Sequence, residues 1–299
     1  MQHCNNNRSC SSEGTLFSVL YNFHIIKLIP AAIALILLCA SYANCSDTVL
    51  KIGGTGSALG SINLIAAFFE ASQPDIKVKI YPSMSSSGGI KAVSEGSIDI
   101  GLSGRLLNVE EQKMGLSVFK YALSPFIPVA HTDVVISSLT TDEVINIYRG
   151  EKLAWPDGKR IRLILRPSHD SDTQIIRGIS PEMGRAVDVA FSREGMLTAV
   201  TDQENADIIE KTPGTLGFCT LTQAITELRK LKILSYNGIP PSVNTLSSGR
   251  YPLSKPHFIV TRPEPAAAVR RFIEFLTSAE GKKIMEEAGN LIVVDTSGK

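Results

Sequence analysis

Two consecutive stretches decide the fold: Val49-Leu-Lys-Ile52 and Gly53-Gly54-Thr55-Gly56-Ser57-Ala58-Leu59-Gly60. The first four residues predict a β-strand, and apolar residues between 59 and 69 repeat at helical spacing. A glycine-rich turn from a strand into a helix exposes backbone N–H groups that favour an anion. The pattern is not a P-loop, since no Gly-Lys-Ser/Thr follows, and not a dinucleotide site, since no acidic residue ends the second strand. Alone, the turn fits an ordinary helix N-cap equally well.

Strands and helices continue to alternate along the chain. Short apolar or alternating runs predict strands at Ile76–Tyr81, Ile98–Leu102, Ile161–Leu165 and Phe258–Thr261. Helical spacing predicts helices at Gly89–Glu95, Asp142–Tyr148, Ala206–Lys211, Gln223–Leu231, Ala266–Leu276 and Gly281–Ala288. Thr140 and Glu143 have the spacing of a capping box in front of the second of these helices. The alternation predicts an α/β fold with a mainly parallel sheet.

Two segments interrupt this alternation. Ala122–Ala130 is rich in proline and apolar residues, and Asn237–Pro256 contains four prolines among several glycines and serines. Such segments usually connect domains or run along surfaces. If both are crossovers, residues 47–128 and 250–299 form domain I and residues 129–249 form domain II. We therefore expect two α/β domains with a hinge and an interdomain cleft, where ligands commonly bind.

Three successive strand ends carry small, hydroxyl-rich loops. After the glycine-rich turn come Ser85–Gly89, for which a flexible linker is the alternative, and Gly101–Arg105. Ligands bind at the carboxyl ends of strands in open α/β sheets, so the coincidence of three loops favours an anion site. In domain II, Arg166–Thr173 follows a strand and offers a guanidinium fork matched to an oxyanion, with the hydroxyls of Ser171 and Thr173 nearby.

The start of the chain differs from the rest. Ile25–Ala40 is apolar apart from one lysine and one proline, and Ser41-Tyr42-Ala43 follows it. A short apolar core followed by small residues is typical of a secretory signal, so residues 1–43 are predicted to be a signal peptide with a preceding extension, and the mature protein to be periplasmic or otherwise extracytoplasmic. A membrane anchor in the same stretch is the alternative, and lipid attachment at Cys39 or Cys45 is less favoured.

Charge and cysteine content narrow the possible functions. Thirty basic residues balance 29 acidic ones, so the basic footprint of a nucleic-acid binder or of a polybasic membrane-surface protein is missing. The sequence has no metal-ligand spacing, and neither a metal nor a cofactor is expected. After cleavage Cys45 and Cys219 would remain, and an unpaired, buried Cys219 is favoured over a disulfide between them.

Several motifs, in order, resemble those of the phosphate-binding subunits of bacterial ABC transporters. They are Gly-Thr-Gly-Ser57, Ser-Ser-Gly-Gly89, Asp99-Ile-Gly-Leu-Ser103, Ile147-Tyr-Arg-Gly150, Trp155-Pro-Asp-Gly158, Arg166 with Ser171-Asp-Thr173, Thr212-Pro-Gly-Thr-Leu-Gly-Phe218 and Phe275-Leu-Thr-Ser-Ala-Glu-Gly281. The resemblance runs from about Val49 to Val294. It implies a type II periplasmic binding protein fold, hinge closure on a dehydrated anion and no catalysis. We therefore expect a monomer that captures inorganic phosphate and delivers it to the transmembrane permease of an ABC transporter.

Carried over position by position, the resemblance implies a phosphate site without catalytic residues or metal ligands. The implied phosphate ligands are Thr55, Gly56, Ser57, Ala58 and Leu59 on the first loop, Ser86, Ser87 and Gly88 on the second, Ser103 on the third, and Arg166, Ser171, Asp172 and Thr173 in domain II.

Two departures from the family pattern bear on specificity. Many relatives have Thr-Phe where this chain has Ala58-Leu59, and many have an aspartate where it has Gly104, followed by Arg105. A carboxylate can accept the proton that phosphate keeps near neutral pH, whereas sulfate has no such proton to donate. We hypothesise that Asp172, which stands where many relatives have glycine, accepts this proton, with Asp170 as the second candidate.

Other functions stay open. The chain could be a receptor for sulfate, molybdate or tungstate, or a phosphate sensor or scaffold without a transport role, because fold alone does not settle function. A hydrolase is disfavoured, since Gly101–Arg105 lacks the last glycine of the nucleophile-elbow motif. No histidine has a recognisable base position, although His169 lies near Ser171.

Overall fold

The structure, a computed structural model, describes residues 48–293. Its strands are β1 (Thr48–Gly54), β2 (Ile76–Ile80), β3 (Ile100–Ser103), β4 (Ser117–Ala130), β5 (Ser138–Leu139), β6 (Arg162–Leu165), β7 (Leu197–Thr198), β8 (Thr215–Thr220), β9 (Lys232–Ile233), β10 (Ser235–Tyr236), β11 (Ser254–Thr261) and β12 (Leu291–Ile292). A 10-stranded sheet has the order β2-β1-β3-β11-β4-β8-β6-β7, with β9 and β12 beside β4. Strands β5 and β10 form a separate pair.

Helices connect most of these strands, as the alternating pattern predicts. They are α1 (Gly56–Ser72), α2 (Ser85–Ser94), α3 (Val109–Gln112), α4 (Thr141–Arg149), α5 (Ser171–Arg177), α6 (Pro181–Ser192), α7 (Asp202–Lys211), α8 (Leu221–Thr226), α9 (Val243–Ser247), α10 (Ala267–Thr277) and α11 (Ala279–Glu287). The predicted capping box of α4 is confirmed: the N–H of Glu143 donates to Thr140 Oγ1 at 3.2 Å, and the N–H of Thr140 donates to Glu143 Oε2 at 3.0 Å. The α/β class expected from the sequence is confirmed.

The sheet is mixed, so the expectation of a mainly parallel sheet is wrong. β1 pairs in parallel with β2 and β3, and β6 pairs in parallel with β7 and β8. Between these two groups, β4 and β11 run antiparallel to their neighbours. The segment Ala122–Ala130, expected to be a connection, lies inside β4, and β11 starts at Ser254 rather than at Phe258. Fully buried strands carry no polar–apolar alternation, so strand prediction from this alternation fails in such segments.

Two large clusters of buried apolar side chains share these long strands. One contains Leu50 and Phe272 and takes Tyr121 and Ala122 from β4. The other takes residues 126–130 of β4 and otherwise comes from residues 134–253. The two clusters fit the two-domain fold class, and β4 and β11 carry the chain from one to the other. The predicted domain boundaries stay a prediction.

The carboxyl ends of β1 and β3 approach α2 very closely. Gly54 has φ +143°, and a Cβ there would lie 2.1 Å from the carbonyl oxygen of Leu102. A Cβ on Gly89 would lie 2.7 Å from the Cα of Gly54. Only glycine fits at both positions, because backbone atoms would have to move for any side chain. This close packing brings the first three predicted loops to one edge of the sheet.

Several predictions concern the chain outside this region. The predicted signal peptide and both lipidation sites fall outside residues 48–293. Within that region, no helix combines the length and apolar character needed to cross a membrane. Cys219 is buried in β8 as expected, while its pairing with Cys45 falls outside the described residues.

Candidate functional site

The first turn of α1 holds a carboxylate from a distant part of the chain. Asp202, the first residue of α7, is buried, and its Oδ2 accepts a hydrogen bond of 3.5 Å from Thr55 Oγ1. The backbone N–H of Ser57 helps to lower the pKa of this carboxyl group. Beside it, Gln203 Nε2 donates to the carbonyl of Gly56 at 3.1 Å. The turn predicted to bind an anion therefore already has an anionic side chain beside it, in contact with the Thr55 hydroxyl.

Asp202 is held as a fixed negative charge. Burial alone would raise the pKa of its carboxyl group, but the charges of Lys255 and Arg166 and the N–H of Ser57 outweigh burial, and the pKa is lowered. The start of α7 positions Asp202. The N-cap residue Thr201 accepts a hydrogen bond of 3.1 Å from the N–H of the third helical residue.

Arg166, at the end of β6, has a buried guanidinium in a group of carboxylates. Nη2 donates to Asp170 Oδ2 at 3.2 Å and lies 3.8 Å from Asp202 Oδ2. Nε lies 3.6 Å from Asp172 Oδ2, and Nη1 donates to the carbonyl of Ala199 at 2.8 Å. Within the described part of the chain, Nε has no hydrogen-bond partner. Arg166 thus presents a buried cation with one donor to spare, which is what an oxyanion requires.

Lys255, on β11, is the second buried cation. Its Nζ donates to Asp172 Oδ1 at 2.5 Å and to Asp202 Oδ1 at 3.4 Å, and its side chain is 1% exposed. Burial works against the ammonium, but the two carboxylates outweigh burial and raise its pKa. Burial raises the pKa of Asp172 to about 6, with Lys255 opposing the shift. Asp172 is therefore mostly ionised at neutral pH and gains a proton in mildly acidic solution.

A neutral histidine lies behind the first loop. His257 is fully buried on β11, and its Nε2 lies 3.4 Å from Ser57 Oγ, which is itself 3.1 Å from Thr55 Oγ1. Its ring stacks on Tyr121, with ring centroids 6.1 Å apart. Burial and the charge of Lys255 lower the pKa of His257 to about 3. The ring is therefore uncharged near neutral pH and adds polarity without charge to this side of the site.

The second and third loops are joined by a short hydrogen bond. Ser86 Oγ accepts the backbone N–H of Gly104 at 2.9 Å. Ser103 Oγ donates to the carbonyl of Arg105 at 2.6 Å, so its proton is used within its own loop. The Ser86 hydroxyl proton is not used in this contact and is available to a ligand.

A cavity of about 140 Å³ opens beside these loops. Its polar lining comes from both predicted domains and includes Ser86, Ser87, Arg105, His169, Asp170 and Ser171. The guanidinium of Arg105 is held by Glu111 through contacts of 2.7 and 2.8 Å, and it donates to Ser87 Oγ at 2.7 Å. The hydroxyl groups of this lining can donate to a small anion, whereas the Asp170 carboxylate would repel one.

Of the predicted ligands, Ser86, Ser87 and Ser171 line this cavity and the others do not. Ala58 is packed in the core, and Leu59 lines a different surface groove. Thr173 Oγ1 donates to the carbonyl of Arg166 at 3.1 Å and so fixes the loop. Gly88 packs beside Met84. Whether any of the predicted residues binds a ligand stays a prediction. Within residues 48–293, no three histidine, cysteine, aspartate or glutamate side chains are placed to hold a metal ion.

Sequence reasoning missed three residues of this site. Lys255 and His257 occupy alternate positions on a buried strand whose next residue on that face is Ile259. Two ionisable residues on the face of a buried strand are a usable signal, because burying them requires partners. Asp202 could have been found from Thr201 and Glu204, since this spacing is typical of a helix start.

Comparison with known proteins identifies the family. Residues 42–280 match the family described as the PBP superfamily domain, and the chain belongs to this family. The phosphate-binding protein PstS of Borreliella burgdorferi is 26% identical over 279 residues, which cover 89% of this chain and 97% of the relative. The phosphate-binding protein PstS of Bacillus subtilis is 24% identical over 256 residues, covering 82% of this chain and 81% of the relative.

A solved structure shares the fold. A phosphate ABC transporter substrate-binding protein from Clostridium perfringens, with bound phosphate, matches with a TM-score of 0.71 and 20% identity. The match covers 82% of this chain and all of that structure's chain, 100%. The expected periplasmic-binding-protein fold is thereby confirmed.

Proposed function

We propose that this protein is an extracytoplasmic substrate-binding protein that captures inorganic phosphate in the cleft and delivers it to the permease of an ABC transporter. The observation that carries the proposal is the buried guanidinium of Arg166, whose Nη2 donates to Asp170, a residue that lines the same cavity as Ser86 and Ser171. The two relatives named phosphate-binding protein PstS support the choice of ligand. Both names describe binding proteins, and we infer no catalysis here.

The donors around the cavity suit a tetrahedral oxyanion. Arg166 Nε and the hydroxyls of Ser86 and Ser171 can each donate to a separate oxygen. Charge-assisted hydrogen bonds in a dry site contribute about 1.5–3 kcal/mol each, so a few of them reach micromolar affinity after the cost of association. Asp202 contacts the Thr55 hydroxyl, so an anion that reaches the first loop would meet this carboxylate.

Discrimination between phosphate and sulfate falls to Asp172 in this proposal. Its carboxylate is buried between Lys255 and Arg166, and Oδ2 lies 3.6 Å from the free Nε. An anion bound to that Nε would therefore lie next to a carboxylate. Phosphate can donate its proton to the carboxylate, whereas sulfate would meet only repulsion. Asp170 is already engaged with Arg166 Nη2 and with the N–H of Asp172, which makes it the weaker candidate.

Calorimetric titration tests the proposed function. The purified protein is freed of bound anion by reversible unfolding and titrated at pH 7.5 with phosphate, sulfate and molybdate. We expect phosphate to bind with micromolar or tighter affinity and sulfate to bind at least about tenfold more weakly. If sulfate or molybdate binds as tightly as phosphate, the assignment of phosphate as the ligand is wrong. If none of the three anions binds, the proposed receptor function is wrong.

A further inference from the structure

We propose that Lys255 is an anion ligand of the cleft, a role that rests on the proposed function. In this arrangement the Lys255 ammonium donates to the bound anion alongside Arg166. The anion then lies between two buried cations, one at the end of β6 and the other on β11. No sequence motif of the three loops includes Lys255, and it enters the site from the opposite end of the chain.

The position of Lys255 relative to the third loop is the first argument. A Cβ added to Gly104 would lie 2.6 Å from Lys255 Cε and 3.0 Å from Ser171 Oγ. The lysine side chain therefore fills the space into which any side chain at position 104 would project. The third loop, Ser171 and Lys255 meet at this point, so a cation stands where the third loop would otherwise place its own side chain.

The second argument is the number of donors. An ammonium has three N–H groups, and within residues 48–293 Lys255 has two acceptors, Asp172 and Asp202, the second at 3.4 Å. One donor therefore remains for a ligand, as does the unpartnered Nε of Arg166. Both Nζ of Lys255 and Nε of Arg166 contact the carboxylate of Asp172, so an anion that binds to both would also lie beside that carboxylate.

This arrangement has a consequence for specificity. A cation attracts phosphate and sulfate alike, whereas a carboxylate favours the anion that carries a proton. Lys255 itself should therefore contribute to affinity for both anions, and it should affect the preference between them only through its effect on the protonation of Asp172. That preference should depend on Asp172.

The test compares Lys255→Met with Lys120→Met by titration with phosphate and with sulfate at pH 7.5. Lys120 lies on the neighbouring strand β4, opposite Phe258 in the register, and is partly exposed. We expect Lys255→Met to weaken the binding of both anions by about 10- to 100-fold, and Lys120→Met to change neither affinity by more than about twofold.

A double variant separates ligand binding from charge balance. Lys255→Met leaves Asp172 and Asp202 short of a cation and could prevent folding, so Asp172→Asn/Lys255→Met is compared with Asp172→Asn alone. A further loss of about tenfold in phosphate affinity supports Lys255 as a ligand. Equal affinity of these two variants would limit Lys255 to balancing charge and overturn the inference. If the unmodified protein binds no oxyanion, the proposed function fails and this inference fails with it.

Discussion

The two walls of the candidate site are built on different principles. The hydroxyl wall, formed by Thr55, Ser57, Ser86 and Ser103, presents backbone N–H and hydroxyl groups held by turns. The charged wall, formed by Arg166, Asp172, Asp202 and Lys255, presents buried ions paired across long sequence distances. On the proposed function, we expect the first wall to supply shape and neutral hydrogen bonds, and the second to supply most of the binding energy and the response to protonation. Substitutions on the two walls should therefore differ in size and in kind.

The largest expected effect comes from Arg166 on the charged wall. Arg166→Ala should weaken phosphate binding by about 100-fold or more, because at least one charge-assisted hydrogen bond and a buried cation are lost together. Arg166→Lys should recover part of this loss, since it restores the charge without the planar fork. Titration calorimetry measures both. Arg149→Ala, which removes an arginine paired with Glu182, is the control. If the Arg166→Ala protein binds phosphate with full affinity and its melting temperature is unchanged, the anion binds elsewhere.

The pH dependence of unfolding tests whether His257, next to the hydroxyl wall, is uncharged in the folded protein. Its pKa is about 3 when folded and about 6.5 when unfolded, so its stabilising contribution is complete above pH 6.5 and is lost as pH falls towards 3. Between pH 7 and pH 5, this group should remove about 2 kcal/mol from the free energy of unfolding. Urea unfolding of His257→Gln should show a correspondingly smaller loss. His169→Gln, at an exposed histidine, should behave as the unmodified protein does. An identical pH dependence in all three proteins would contradict the neutral His257.

Asp172 should give the charged wall its pH response. The ionisable groups around its carboxyl are Lys255, Arg166, Asp170, Asp202, Tyr148 and Cys219. Because its pKa is raised to about 6, the proton acceptor is present above pH 6 and disappears as pH falls through that value. The phosphate-to-sulfate affinity ratio should therefore fall by about tenfold between pH 7.5 and pH 5. In Asp172→Asn the ratio should be low at both pH values. A high ratio in this variant would assign the proton acceptor to another group.

The smallest effects are expected on the second loop, where two adjacent serines form a matched pair. Ser86 is buried and contacts Gly104, whereas Ser87 is exposed and accepts from Arg105. Ser86→Ala should weaken phosphate binding by about three- to tenfold, which is the contribution of one neutral hydrogen bond. Ser87→Ala should change it by less than about twofold. Losses of similar size for the two variants would show that burial does not distinguish their roles.

The two walls also differ in how far the sequence predicts them. The hydroxyl wall comes from loops that are each local in sequence, and their positions at three strand ends were correctly inferred from the strand pattern. Arg166 and Asp172 could likewise be selected from one local motif. The contacts between Lys255, Asp172 and Asp202 could not be predicted, because they join residues 53 and 83 positions apart through the tertiary fold. Strand β4 was also missed, because the burial of nearly all residues from Tyr121 to Ala130 removes the alternation on which strand prediction depends.

A crystal structure of the protein grown with phosphate tests the central claim most directly. The account predicts an ordered anion between the two walls, within hydrogen-bond distance of Arg166 Nε and Lys255 Nζ and next to the carboxylate of Asp172. A phosphate bound only on the outer surface, or the absence of an ordered anion between the walls in saturating phosphate, would contradict it.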